Sequence, residues 1–388
     1  MVLHGPYPLS EGRVVGEALA AMDAGWEVDV VAMCEPGEPA EEIVDGVAVF
    51  RLPLSHRWGA GFAAVGREYL AFTSRATAKV AALAARRRYA VIHVHNPPDF
   101  LILAGLAPRL MGARLILDIH DFSPELFVMR FEESRVRAAT ELTLRLIERV
   151  SVGFSSAVIT VHDPYRRALE ARSVPHDKIT VILNSLDERL LPAAVKGDEG
   201  SDFRVVYHGT ITPHYGVVLL VEAAARVTKE VPSLRLEIYG DGDALDDVKS
   251  RAADLGISDR LHVTGRFLPH REVLERVRAA SAGVVCNLPI ERNKTAIPTK
   301  LFEYALIGVP ILSADLPAIR EYFSPHEVRF FRAGDVDALA EALREVASDP
   351  AAANARASAA RRRYEEYRWS ANARRYVELL DRLSPASK

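Results

Sequence analysis

The sequence predicts an α/β protein built as two doubly wound lobes, and three observations lead there. Short β-branched runs alternate with longer stretches of helical periodicity, the signature of βαβ units and parallel sheets. The alternation breaks at "LDERLLPAAVKGDEGSD" (186–202), rich in charge, Gly and Pro, and then starts afresh. At 388 residues and 49% hydrophobic content, the chain exceeds what a single core fills. The implied division is 1–186, 187–366 and a closing helical segment, 367–388.

In the first lobe, "VLH" (2–4), "EVDVVAM" (27–33), "VAVFRL" (47–52), "AVIHVH" (90–95), "RLILDIH" (114–120) and "AVITVH" (157–162) read as strands. Helices fit 13–25, 66–88 and 133–154. Past the crossing, strands 203–209, 234–240, 261–265, 282–288 and 309–314 alternate with helices 216–229, 244–254, 270–280 and 299–306. The tail, from "DALAEALREVASDP" to "YVELLDRL", is helical and arginine-rich. No period of 20 to 50 residues repeats, which excludes a solenoid.

Bulk chemistry narrows the partners. A net charge of −3 gives no global field for nucleic acid. Cys34 and Cys286 lie far apart without metal-like spacing, which points to a reducing cytoplasm. The start has no basic segment followed by a long apolar run, so secretion is not expected. No apolar stretch reaches the ~18 residues a bilayer span needs.

Neither lobe carries G-x-G-x-x-G after its first strand, nor G-x-x-x-x-G-K-[ST], so dinucleotide and P-loop chemistry lose their main support. Doubly wound lobes bind ligands outside the carboxyl ends of their strands. There, "IPTKLFEYALIGVPIL" (297–312) places one carboxylate, Glu303, in a segment otherwise built for burial. Pro298 turns the chain, Thr299 is placed to cap, and the N–H groups of Lys300, Leu301 and Phe302 form an anion cradle helped by the helix dipole. Lys300 adds a full positive charge. Glu303, one turn in, can accept two hydrogen bonds from a ribose diol while a diphosphate rests on the helix end. The plain alternative is a half-exposed glutamate paired with an arginine.

The helix reads P-T-K-L-F-E-Y-A-L-I-G-V-P, and other segments accompany it in order: "GPYPLSEGRVVGEALAAMDAGWEVDVV" (5–31), "DIHDFSPELF" (118–127), "VILNSLDERLL" (181–191), "VVYHGTITPHYGVVLLVEAAARV" (205–227), "IYGDGDALDDV" (238–248), "LHVTGRFLPHREVLERVRAASAGVV" (261–285) and "YRWSANARRYVELL" (367–380). Together they resemble the retaining glycosyltransferases of family 4, over essentially the whole chain. The resemblance implies a GT-B fold, two Rossmann-like domains facing across a cleft. It implies transfer of a sugar from a nucleoside-diphosphate sugar to an acceptor hydroxyl, with retention at the anomeric carbon. Glu303 matches the family's ribose-binding glutamate. His120 matches a histidine facing sugar and β-phosphate, which nominates it as the catalytic residue. Gly209 and Thr210 fall in the loop over the diphosphate, Gly12 and Arg13 in the opening loop that grips donor and acceptor. Backbone near Gly265, Arg266 and Phe267 would read the base, leaving UDP, GDP or ADP undecided.

The departures carry weight. Thr295 stands where the family usually has a glutamate on the donor sugar, and uncharged Thr210 and Tyr215 stand where two basic residues usually neutralise the diphosphate. Gly12 lacks the usual second glycine. About two buried negative charges need compensation; Lys300 is the first candidate, then Arg292, Lys294 and the helix amides. Asp241 and Asp243 read as turn residues, and no metal cofactor is expected. His93, His95 and His208 read as packed rings, His162 as a loop residue on the acceptor side. The segment from Phe122 to Phe154 mixes arginines with Phe and Leu at helical spacing; it fits either a solvated face over a core stripe or a membrane surface holding a lipid-linked acceptor. The expected location is cytoplasmic, with attachment to the inner face of the membrane left open. Two further classes share these features: a non-catalytic GT-B partner protein and a sugar-nucleotide epimerase.

Overall fold

The computed structural model describes residues 1–8, 12–54, 61–130, 137–191 and 202–384. Contacts divide the chain into two units, Met1–Asn184 together with the segment from Trp369 onward, and Ser185–Arg368. Most of the charged crossing (192–201), the opening-loop residues 9–11 and residues 131–136 lie outside the described residues.

The first unit runs β1 (Val2–Pro6), α1 (Gly12–Asp23), β2 (Asp29–Met33), β3 (Glu41–Val44), β4 (Val47–Leu52), α2 (Phe62–Ala84), β5 (Val91–His95), α3 (Leu106–Leu110), β6 (Arg114–Ile119), α4 (Ser123–Arg130), α5 (Arg137–Phe154), β7 (Ala157–Thr160), α6 (Asp163–Ala171) and β8 (Ile179–Val181). Its sheet order is β3-β4-β2-β1-β5-β6-β7-β8, parallel except for the β3–β4 hairpin. That hairpin turns on Asp45 and Gly46, both at positive φ, the geometry an Asp-Gly hairpin turn uses. β7 is buried throughout, as expected of a strand covered on both faces. On α2, Phe72, Ala76, Val80 and Leu83 are buried at helical spacing and form the stripe that packs on the sheet. Each large side chain there contributes about 1.5–3 kcal/mol by leaving water.

The second unit runs β9 (Phe203–His208), α7 (Val217–Val227), β10 (Leu234–Tyr239), α8 (Leu245–Asp254), β11 (Leu261–Val263), α9 (His270–Arg278), β12 (Ala282–Val285), α10 (Glu291–Thr295), α11 (Thr299–Ile307), β13 (Ile311–Ala314), α12 (Pro317–Tyr322), β14 (Arg329–Phe331), α13 (Val336–Ser348) and α14 (Pro350–Tyr364). Its sheet order is β11-β10-β9-β12-β13-β14, all parallel. β9 sits between β10 and β12, so the chain leaves it in one direction and returns on its other side. The carboxyl end of β9 is therefore a switch point where loops diverge and a ligand can enter.

The last helix, α15 (Trp369–Leu383), belongs to the first unit. Trp369 lies against α1 so closely that a Cβ on Gly16 would sit 2.8 Å from its ring. Tyr376, Leu379 and Leu380 are buried with Ile116 and Ile159.

On α5 the outward face is apolar. Leu142, Leu146 and Val150 are 71%, 61% and 61% exposed at i, i+4 and i+8, beside exposed Arg145 and Arg149. Arg109 donates to the Phe154 carbonyl and Lys178 to that of Val152 (2.7 Å), two cations at the negative helix end. Among the described residues no helix is long and apolar enough to cross a membrane.

Candidate functional site

Helix α11 begins at the switch-point side of the second sheet. Its N-cap is Pro298, in extended backbone and without a side-chain cap, so Thr299 is the first helical residue and not the cap the sequence suggested. Proline at the cap supplies the fixed φ that points the chain into the helix. The Leu301 N–H donates to the Pro298 carbonyl (3.0 Å) and the Leu301 side chain is fully buried, which removes it from the expected anion cradle. Thr299 and Lys300 remain as the leading amides. Gly308 ends the helix at φ 85°, as a left-handed C′ glycine does.

Both charged residues of α11 point inward: Lys300 and Glu303 are each 7% exposed. Lys300 Nζ lies 3.8 Å from the Tyr207 ring centre and 5.6 Å from that of Tyr215, and among the described residues it has no hydrogen-bond or ion-pair partner. Burial pulls its pKa down to about 8, against the opposing influence of Cys286 and Glu303. Among the described residues Glu303 is paired with two histidines and no arginine. His208 Nε2 lies 3.1 Å from Oε2 and His270 Nε2 3.2 Å from Oε1. The His208 contact is close but misaligned, so both its atoms are without a hydrogen bond although buried. Burial works to raise the Glu303 pKa, yet His208, His270 and Lys300 together carry it below the usual carboxylate value. Burial lowers His208 to about 4, so that ring is neutral at pH 7 and acts as a dipole. For His270, Glu303 overcomes the burial effect and raises the pKa.

Gly209, at φ 108°, closes β9 beside this pair; a Cβ there would lie 3.4 Å from Lys300 Nζ. A Cβ on Gly240 would fall 1.9 Å from the Gly209 carbonyl oxygen, so only glycine lets the β10 turn approach the β9 loop. Thr264 ties these loops to the next: its hydroxyl accepts from Gly240 N–H (3.0 Å) and donates to the Arg266 carbonyl (2.9 Å), with Gly265 between at φ 60°. Arg266 and Phe267 are exposed. Thr210 presents its carbonyl to the Tyr207 hydroxyl (2.7 Å).

Thr295 spends its hydroxyl on the Arg292 carbonyl (3.2 Å), and Lys294 is paired with Glu291 on an exposed face. Arg292 reaches the Tyr215 hydroxyl (3.2 Å). Asp241 accepts from Gly242 N–H (2.8 Å), the turn role expected of it.

In the first unit, Asp118 is the hub of a buried polar cluster. Arg13 grips it with Nη2 at 2.9 Å from Oδ1 and Nε at 3.2 Å from Oδ2, while Nε also lies 3.2 Å from Glu17. His120 Nε2 is 3.1 Å and His95 Nδ1 3.2 Å from the same Asp118 Oδ2, and these two nitrogens are 3.2 Å from each other. The His120 backbone N–H donates to Asn96 Oδ1 (2.7 Å), and His93 Nδ1 meets the Tyr376 hydroxyl of α15 (3.0 Å). Burial opposes ionisation of Asp118, but Arg13 and His120 hold its pKa well below the ordinary value; burial lowers His93 to about 4 and holds His95 well below its ordinary value. Gly12 and Arg13 are thus helix residues of α1, and the Arg13 side chain is fully enclosed, so it braces the cluster and does not reach out from an opening loop. His162, at the end of the loop after β7, is buried as the N-cap of α6, accepting from Tyr165 N–H.

Glu17, His93, His95 and Asp118 offer ligand-type atoms within 4.8 Å of one another. The fit to a metal is poor, because Arg13 already occupies both carboxylates.

The structure therefore brings Gly209, Lys300 and Glu303 together. It adds His208, first read as a packed ring, and His270, which sequence reasoning missed. The signal was faint: "YHG" at a strand end and a histidine heading the helix after the base-side loop.

Residues 12–185 match the family described as "Glycosyl transferase 4-like domain", and residues 193–363 that described as "Glycosyl transferases group 1". Glycogen synthase of Mycobacterium tuberculosis is 29% identical over 187 residues, 48% of this chain and 44% of that protein. The chain spans about half the length of the curated relatives it matches. Among solved structures, sucrose-phosphate synthase from Thermosynechococcus elongatus gives a TM-score of 0.78 at 20% identity, over 100% of this chain and 99% of that one. Anabaena HepE, in complex with UDP-glucose, gives 0.72 at 16% identity over 98% of each. At these identities the likeness is one of fold, two Rossmann-like units of the GT-B class.

Proposed function

The chain belongs to the group 1 glycosyl transferases, with a glycosyl transferase 4-like domain ahead of the group 1 domain, and we propose that it moves a sugar from a nucleoside-diphosphate sugar to an acceptor hydroxyl with retention of anomeric configuration. One observation carries the donor assignment. A buried, ionised Glu303 with an unsatisfied oxygen stands one turn into α11, beside a buried Lys300 cation that has no hydrogen-bond or ion-pair partner among the described residues, at the switch point of β9. Glu303 would accept the ribose hydroxyls; Lys300 and the leading amides of α11 would hold the diphosphate. The neighbour HepE, whose structure contains UDP-glucose, supports this donor class.

In this proposal catalysis rests on stabilising the departing nucleoside diphosphate, with Lys300 as the main cation in place of the basic pair that Thr210 and Tyr215 lack. His120 is assigned to the sugar and its β-phosphate, its ring held by Asp118. No step is assigned to a metal, and turnover is expected to survive chelation.

A panel of UDP-, GDP- and ADP-sugars, followed by calorimetry and by release of nucleoside diphosphate, tests the reading. Donor binding with acceptor-dependent release supports it. A non-catalytic partner would bind no donor, and an epimerase would convert one without an acceptor. Glu303→Ala is expected to cost about 2–3 kcal/mol of donor binding through loss of charged hydrogen bonds; unchanged affinity in a folded variant would place the donor elsewhere.

For the acceptor, the exposed apolar stripe of α5 with Arg145 and Arg149 favours a lipid-linked molecule at an anionic membrane surface over a soluble metabolite.

A further inference from the structure

Lys300, His208 and His270 hold the charge of Glu303, and they differ in access. Lys300 and His208 are buried. The His270 side chain is 45% exposed, against 9% for Glu303, so the imidazole covers the carboxylate on its solvent side. A ribose hydroxyl that approaches Oε1 from the solvent side competes with His270 Nε2, which lies 3.2 Å from that oxygen.

The backbone supports a movable ring. His270 is the first residue of α9, after Pro269 in extended conformation. A cation there meets the positive end of the helix dipole, so its charge depends on Glu303. Release of the ring leaves the helix intact, because none of its backbone bonds involves the side chain.

Resting on the donor reading above, we propose that His270 is a further residue of the donor subsite, a stand-in that occupies Glu303 while the site is empty and yields it to the nucleotide ribose. The imidazolium holds the carboxylate best, and a ribose must then compete with a charge-assisted hydrogen bond. Once displaced, the ring loses the partner that raises its pKa and sheds a proton to solvent. Donor affinity should thus weaken as the pH falls through the range where His270 becomes charged.

The other titratable groups facing this pair act elsewhere. His208 is neutral above about pH 4, and Lys300 changes charge near 8. Cys286, Tyr304 and Tyr364 stay protonated, their pKa values raised by burial.

The test is calorimetry of the full chain with whichever sugar nucleotide of the panel binds, UDP-glucose first, since its doubly esterified phosphates do not titrate near neutrality. The parent is expected to bind about fivefold more weakly at pH 6 than at pH 7.5 and to release protons on binding, seen as a buffer-dependent heat. His270→Ala is expected to lose both effects and to bind more tightly than the parent at pH 6. A variant that keeps the parent's acid dependence, or that weakens equally at every pH, overturns the stand-in role while leaving the donor site in place. Absence of binding by every sugar nucleotide to the parent overturns the donor reading and this inference together.

Discussion

In the proposed donor site, Lys300 is the residue on which charge compensation would turn. Its ammonium rests over Tyr207, buried and without an ion-pair partner among the described residues, and burial pulls its pKa to about 8. A cation held this way is poorly satisfied in the empty site and gains most when an anion arrives. The sign follows directly. An arriving diphosphate favours the charged form, so affinity should decline as the pH rises above about 8 and the ammonium deprotonates. Lys300→Met is expected to weaken sugar-nucleotide binding about tenfold or more, to abolish that alkaline decline and to flatten the dependence on salt. Calorimetry between about 50 and 500 mM salt checks it; equal salt slopes in variant and parent would remove Lys300 from the diphosphate.

Elements show what was legible in the sequence. Helix α11 was legible through its Pro298 start, its Gly308 stop and the strand-forming "VPIL" that follows, because each rule is local. Hairpin β3–β4 carried an Asp-Gly signal that was not read as a turn between strands. The partners of Glu303 were not legible, since His270 lies 33 residues away in sequence and the contact depends on where α9 and α11 are placed by the sheet order. Arg13 turned inward for the same reason: Asp118, 105 residues on, claims it. On α5 the helical period was clear, but which face met solvent was not. Its exposed leucines make the acceptor proposal testable. Replacing Leu142, Leu146 and Val150 with Ser is expected to reduce co-sedimentation with vesicles containing anionic lipid at least severalfold, while thermal stability and donor binding stay near the parent's, because these side chains are already in water. Undiminished vesicle binding, or none in the parent, would contradict the membrane-surface acceptor.

At the scale of the molecule, two Rossmann-like units carry separate tasks. The first sheet buries a polar cluster that joins α1, β5, β6 and α15 around Asp118 and fixes His120 at its rim. The second uses glycine to bring three loops together beside an inward-facing lysine and glutamate. The central claim is that this second cluster is the seat of the nucleotide. A crystal structure of the protein with a sugar nucleotide that it binds tests that claim most directly. The account predicts ribose hydroxyls on Glu303, diphosphate oxygens at Lys300 and the first amides of α11, and His270 turned away from the carboxylate. A nucleotide bound elsewhere on the chain, with the Glu303 contacts to His208 and His270 unchanged, would contradict it.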